Sequence, residues 1–188
     1  MKKISFILTV VFSGLFFLPG HSQPKAGFKA GMNVASLSSF EGSYRLGIHA
    51  GFFASIKLDK QWRFQPEILY SAEGQHYSFE GKNRTLALGY AQLPLMIRYL
   101  PAEKFYLEFG PQPGFLIQAS SSGEDINKLN VKRSFSNNQF ALNAGAGVQI
   151  NKRMSFYGRY HFGLTDVTSG DIVDHSRVIL VGLSMQFK

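Results

Sequence analysis

Two carboxylates, Glu67 and Glu108, each sit in a stretch where apolar and polar residues alternate, and the stretch between them carries Arg98. Paired carboxylates can do acid–base work if a cleft brings a substrate between them. Beside an arginine the simpler use is charge pairing, because an unpaired charge away from water is costly. Arg45, His49 and Arg159 fall on the polar parity of their own stretches. We therefore expect one polar network of Glu67, Arg98, Glu108, Arg159, Arg45 and His49, with an ion path as the competing use of the same charges. His49, His76 and His175 are scattered without metal-ligand spacing, and a loop cation site would have to come from Asp171, Asp174 and His175. The 188 residues include no Cys, which removes disulfides, thiolate metal sites and a Cys nucleophile. The expectation is no catalytic residue, no metal and no cofactor.

The elements that must position these charges are extended. Eight segments with period-two alternation span about 25–36, 44–58, 62–73, 85–99, 104–118, 138–150, 153–165 and 177–187. In the second, Tyr44, Leu46, Ile48, Ala50, Phe52 and Ala54 alternate with Arg45, Gly47, His49, Gly51, Phe53 and Ser55. That segment is longer than an ordinary globular strand and suits a tilted strand crossing a bilayer. The fourth is irregular. Leu86, Leu88 and Tyr90 share one parity while Leu93, Leu95, Ile97 and Tyr99 share the other, so a bulge is expected near Gln92–Pro94.

The connections are unequal. Asp59-Lys60-Gln61, Pro101-Ala102-Glu103 and Asn151-Lys152 read as hairpin turns, whereas 37–43, 74–84, 119–137 and 166–176 read as longer polar loops. Short turns at one end and long loops at the other predict an all-β fold, an eight-stranded antiparallel up-and-down transmembrane β-barrel. Strands can cross lipid only as a closed ring, because every backbone N–H and C=O must be paired there. The inner face then holds Lys29, Arg45, His49, Glu67, Arg98, Glu108 and Arg159, with glycines such as Gly31, Gly51 and Gly147 making room. Trp62, Tyr70, Tyr90 and Tyr99 are expected at the membrane interfaces.

Residues 1–22 read as a signal peptide: Lys2 and Lys3, an apolar run from Ile4 to Leu18, then Pro19-Gly20 and a small-residue cleavage site before Gln23. The run is shorter than the roughly 20 residues of a membrane helix. The barrel domain would then be 23–188. The formal charge of +8 is dispersed rather than clustered, which, with export, argues against nucleic acid.

Six motifs in order, GFKAGMNVA (27–35), FQPEILYSAEG (64–74), LPLMIRY (93–99), YLEFGPQPGFLI (106–117), LNAGAGVQI (142–150) and YGRYHFGLTDV (157–167), resemble the porin-family outer-membrane β-barrel domain proteins of Gram-negative bacteria. The resemblance covers nearly all of the chain after residue 22. It implies residence in the outer membrane, contact with its lipids and lipopolysaccharide, and handling by the barrel-assembly machinery, with any extracellular partner left open. It implies no single activity. Some outer-membrane barrels trim lipopolysaccharide acyl chains with a His followed shortly by a Ser; here Phe162 and Gly163 follow His161, so that pattern fails. Lipopolysaccharide contacts would fall to Arg84, Lys128, Lys132 and Arg133. The leading expectation is a structural or surface-interaction barrel without catalysis. A narrow channel, a lipid A-modifying enzyme and a soluble lipocalin-like binding barrel are the alternatives.

Overall fold

A computed structural model of the chain describes residues 23–37, 42–79, 81–123, 129–166 and 175–187. The expected leader, Lys128, Asp171 and Asp174 lie outside these residues. Ten strands follow in order: β1 (Lys25–Leu37), β2 (Gly42–Lys57), β3 (Trp62–Phe79), β4 (Lys82–Gln92), β5 (Leu95–Tyr99), β6 (Phe105–Gly123), β7 (Leu129–Asn130), β8 (Asn138–Gln149), β9 (Met154–Asp166) and β10 (His175–Gln186). A 3-10 turn, Lys132–Ser134, follows β7.

All pairings are antiparallel, and the sheet closes on itself. β1 pairs both β2 and β10, and the ring runs on through β3, β4 with β5, β6, β8 and β9. Where eight strands were expected, ten are seen. β4 and β5 lie end to end between β3 and β6, and the two-residue β7 pairs only β6. The pairing spirals as it goes round. Arg63 leads through Arg98, Glu108, Gly145, Arg159, Leu180 and Asn33 to Gly47, which lies against Ala72 further along the strand that holds Arg63. That climb is the strand tilt a closed barrel requires.

The alternation dictates an inverted protein. Leu46, Ile48, Phe52 and Ile68 on the outside are each at least 60% exposed, while Lys29, Asn33 and Gln65 on the inside are 0% exposed. No water-filled core would place them so; an apolar solvent outside the ring does. At the end with the short turns, Trp62 and Tyr99 are cross-strand partners with ring centroids 4.8 Å apart. The β8–β9 turn there is shaped by Asn151, whose Oδ1 accepts the backbone N–H groups of Arg153 (2.9 Å) and Met154 (2.8 Å).

Three expectations need correction. The segment 74–84 is no long loop: β3 runs to Phe79 and β4 starts at Lys82, around Gly81 at φ 74°. Period two persists through Gln75-His76-Tyr77-Ser78, and polarity alone disguised it as a loop. Likewise β6 runs on to Gly123. Third, no bulge separates β4 from β5. Gln92 pairs Leu69 and Leu95 pairs Pro66, one unbroken register, with Leu93 N donating to Pro113 O (2.8 Å) and Glu67 N to Pro94 O (2.9 Å). The register shift lies instead between Gly89 and Tyr90 of β4 and their β6 partners Gln118 and Leu116. Leu86, Leu88 and Tyr90 therefore face the lumen, and Tyr90, 1% exposed, is no interface aromatic.

Candidate functional site

The lumen near the short turns holds a chain of buried charges contributed by five strands. Lys29 (β1) donates Nζ to Glu67 Oε1 and Oε2 (β3) at 3.1 and 3.2 Å. Arg159 (β9) grips the same carboxylate with two nitrogens, Nη1 to Oε2 at 3.0 Å and Nη2 to Oε1 at 2.9 Å. Its Nε donates to Glu108 Oε1 (β6) at 2.7 Å, and Arg98 (β5) donates Nε to Glu108 Oε2 at 2.9 Å. The order is Lys29–Glu67–Arg159–Glu108–Arg98. These side chains are 0–7% exposed.

The sheet sets this order. Arg98 and Glu108 are direct cross-strand partners, whereas Glu67 reaches Arg159 across the lumen. Gln65 Nε2 adds a bond to Glu67 Oε1 at 2.7 Å. Lys29 Nζ lies 4.0 Å from the Tyr157 ring centroid, and Arg98 lies 4.2 Å from that of Tyr106. Glycine makes room for these rings: a Cβ on Gly147 would collide with the Tyr106 ring.

Of the six residues expected to form one network, Glu67, Arg98, Glu108 and Arg159 come together. Arg45 does not; its Nη1 donates to the backbone O of Glu73. His49 pairs through Nε2 with the Tyr157 hydroxyl, one residue removed from the charges. Lys29 belongs to the chain of charges, although the sequence marks it only as an inward residue. Its parity with Gly27 and Gly31 was the available signal. Glu73 is a further buried carboxylate, taking Gln92 Nε2 at 2.7 Å and Ser176 Oγ at 3.1 Å. His161 sits among amides, with Gln112 and Asn143 at 3.0 and 3.2 Å from Nδ1.

Chemically, this arrangement binds charge to charge. Each carboxylate of Glu67 and Glu108 is held by at least two cationic side chains, so neither is placed to abstract a proton. Among the described residues no group of three His, Asp or Glu is placed to hold a metal ion.

Toward the long loops the lumen changes character. Leu86, Leu88, Tyr90, Leu116 and Ala119 form a buried apolar cluster, with Tyr77, Val131 and Phe135 packed against it. Val131 and Phe135 come from residues 131–137, between β7 and β8, and pack on this cluster. That connection borders an open recess of about 1040 Å3 lined by Lys132, Arg133 and Asn137 among others.

The sequence profile of the outer membrane protein β-barrel domain matches residues 22–169. The chain belongs to that family. Its members' setting is the bacterial outer membrane, and the apolar outer face of this barrel is built for it. Among solved structures, the fold is similar to Ail, the attachment invasion locus protein of Yersinia pestis, in complex with the heparin analogue sucrose octasulfate. That match has a TM-score of 0.53 and 11% identity, covering 88% of this chain and 100% of Ail. It is also similar to Neisserial surface protein A, with a TM-score of 0.51, 15% identity and coverage of 88% and 98%. No curated protein matches the sequence. At these identities the likeness is one of fold.

Proposed function

We propose that this outer-membrane barrel neither conducts nor catalyses, and that it serves as a structural element of the envelope with a contact surface at its loop end. The observation that carries this reading is the buried chain from Lys29 to Arg98, which spans the lumen with side chains that leave each other only by exposing bare charge. An eight-position barrel has just enough room for such a filling. Planar-bilayer recording of the refolded protein tests it: no current steps are expected. Steady ohmic conductance would overturn the reading in favour of a narrow channel. The lipid A-enzyme alternative predicts altered lipid A on overexpression, and we expect an unchanged mass spectrum.

The contact surface we assign to the β6–β8 connection, where Lys132 and Arg133 border the open recess. The complex of Ail, a barrel of similar fold, with a heparin analogue supports polyanion contact as a use for such a barrel. We assign the phosphates of lipopolysaccharide as the first partner, with other outer-membrane lipids around the apolar belt. Replacing Lys132 and Arg133 together by Ala should weaken retention on immobilised lipopolysaccharide and leave folding intact; unchanged retention would count against the assignment. In the same reading residues 1–22 are removed at export, the barrel-assembly machinery inserts the remainder, and nucleic acid plays no part.

A further inference from the structure

Three polar groups on the turn side of the lumen are buried without a hydrogen-bond partner: Arg63 Nε, Arg98 Nη2 and the Tyr106 hydroxyl. The sheet puts the two arginines side by side, and Tyr106 lies beneath Arg98 with its hydroxyl end toward Gly147. Arg63 of β3 is the direct cross-strand partner of Arg98 of β5, and Lys57 of β2 is its partner on the other side. The Arg98 guanidinium lies over the Tyr106 ring. Three neighbouring strands thus present Lys57, Arg63 and Arg98 in one row, and like charges directly opposite each other destabilise a sheet. The single carboxylate in line with the row is Glu108, beyond Arg98, and Arg159 already shares it. Asp59 and Glu103 sit in the exposed turns, and no ion pair joins Arg63 to either among the described residues.

We propose that this turn-side mouth is a binding site for a small oxyanion of the phosphate or sulfate class, held between the Arg63 and Arg98 guanidinium groups with the Tyr106 hydroxyl as a third donor. The donors fit such a ligand. Guanidinium N–H groups match tetrahedral oxyanions, and a neutral hydroxyl adds a bond without adding charge. An anion there would cancel the repulsion of the row and satisfy three orphaned donors together. Arg63 is half-buried, so the site opens toward the mouth rather than lying sealed beneath the charge chain. The row faces the lumen, which favours a soluble anion over a phosphate carried on a lipid. Among the described residues a rival acceptor is Gln65 Oε1, also without a partner and two residues along the same face, to which Arg63 could turn.

The test uses the folded protein in detergent and reads the temperature at which its cold-gel mobility converts to the boiled form. It compares phosphate-free buffer, added inorganic phosphate, and chloride of equal ionic strength. A ligand that binds only the folded state raises that temperature in proportion to the logarithm of its concentration. Phosphate should raise it above the chloride control in the wild type. Arg63→Gln should melt higher than wild type without phosphate, because the repulsion is gone, and should lose the phosphate response. Tyr106→Phe, which removes a hydroxyl with no partner, should fold normally and respond several-fold more weakly. No phosphate-specific rise, or an equal rise in Arg63→Gln, overturns the site; the first is the outcome if Arg63 turns to Gln65. Micellar phosphatidylglycerol should give no Arg63-dependent rise. If it does so in place of inorganic phosphate, the lumen assignment is overturned.

Discussion

The two halves of the lumen solve the same packing problem with opposite chemistry. Near the turns the space is crossed by Lys29, Glu67, Arg159, Glu108 and Arg98, whose positions are fixed by pairing. Near the loops one wall is filled by Leu86, Leu88, Tyr90 and Leu116, whose positions are fixed by shape, beside a single buried carboxylate, Glu73, held by Gln92 and Ser176. Both sit inside a ring whose outer face must be apolar, so the interior is free to be either. The difference is in how each half fails. A charge network loses function in steps, because removing one partner strands another charge. An apolar cluster loses stability in proportion to the volume removed.

The largest expected effect is therefore at Arg159, the one residue that joins both carboxylates. Arg159→Met should destabilise the barrel by about 3–5 kcal/mol, because Glu67 and Glu108 keep their burial and lose their shared cation. Lys29→Met should cost less, roughly 1.5–3 kcal/mol, since Arg159 still holds Glu67 with two bonds. Denaturant unfolding in lipid vesicles measures both. Equal effects would mean that Arg159 is no hub. In the apolar half, Leu88→Ala should cost about 2–5 kcal/mol, and Leu88→Met under about 1.5 kcal/mol, since volume and not identity matters there. A charge-half residue should show no such tolerance.

Where the seam between the halves lies was hidden in the sequence, and the reason is specific. The strands, their alternation, the three short turns and the inward charges are all visible as period-two patterns. The apolar half is not, because Leu86, Leu88 and Tyr90 look like lipid-facing residues. Their outward neighbours, Ala87, Gly89 and Ala91, are too small to announce an outer face. Parity tells which residues share a face but not which face it is. The fourth segment keeps one register and changes only which of its two faces is apolar, while the bulge lies in β6, opposite Gly89 and Tyr90. The charges were easier, since Glu and Arg can occupy only one face in lipid. Even so, the partners that cross the lumen, Glu67 with Arg159, are 92 residues apart and no strand neighbour reveals them.

A glycine links the two kinds of filling. Gly147 faces the Tyr106 ring so closely that a methyl group would collide with it, and that ring supports Arg98. Gly147→Ala should cost about 1–3 kcal/mol through overpacking, although it removes no charge. Combining it with Tyr106→Leu should recover part of the loss. If the double variant is worse than the sum of the singles, the Tyr106–Arg98 contact matters more than the space it occupies.

The smallest expected effect is at the rim of the apolar half. Phe135 packs on the cluster from the β6–β8 connection and is only partly buried. Its replacement by Ala removes contacts from a segment that the ring does not need for closure. The free energy of global unfolding should fall by less than about 1 kcal/mol, against the roughly 3–5 kcal/mol expected for the loss of a large core aromatic. What should change is local opening. Amide exchange or limited proteolysis near residues 132–138 should accelerate, while exchange in β8 and β9 stays as slow as in the wild type. If the strands loosen together with the connection, the apolar cluster is part of the barrel's cooperative unit. The loop end would then be as fixed as the charged end, and the contrast between the two halves would be one of chemistry alone.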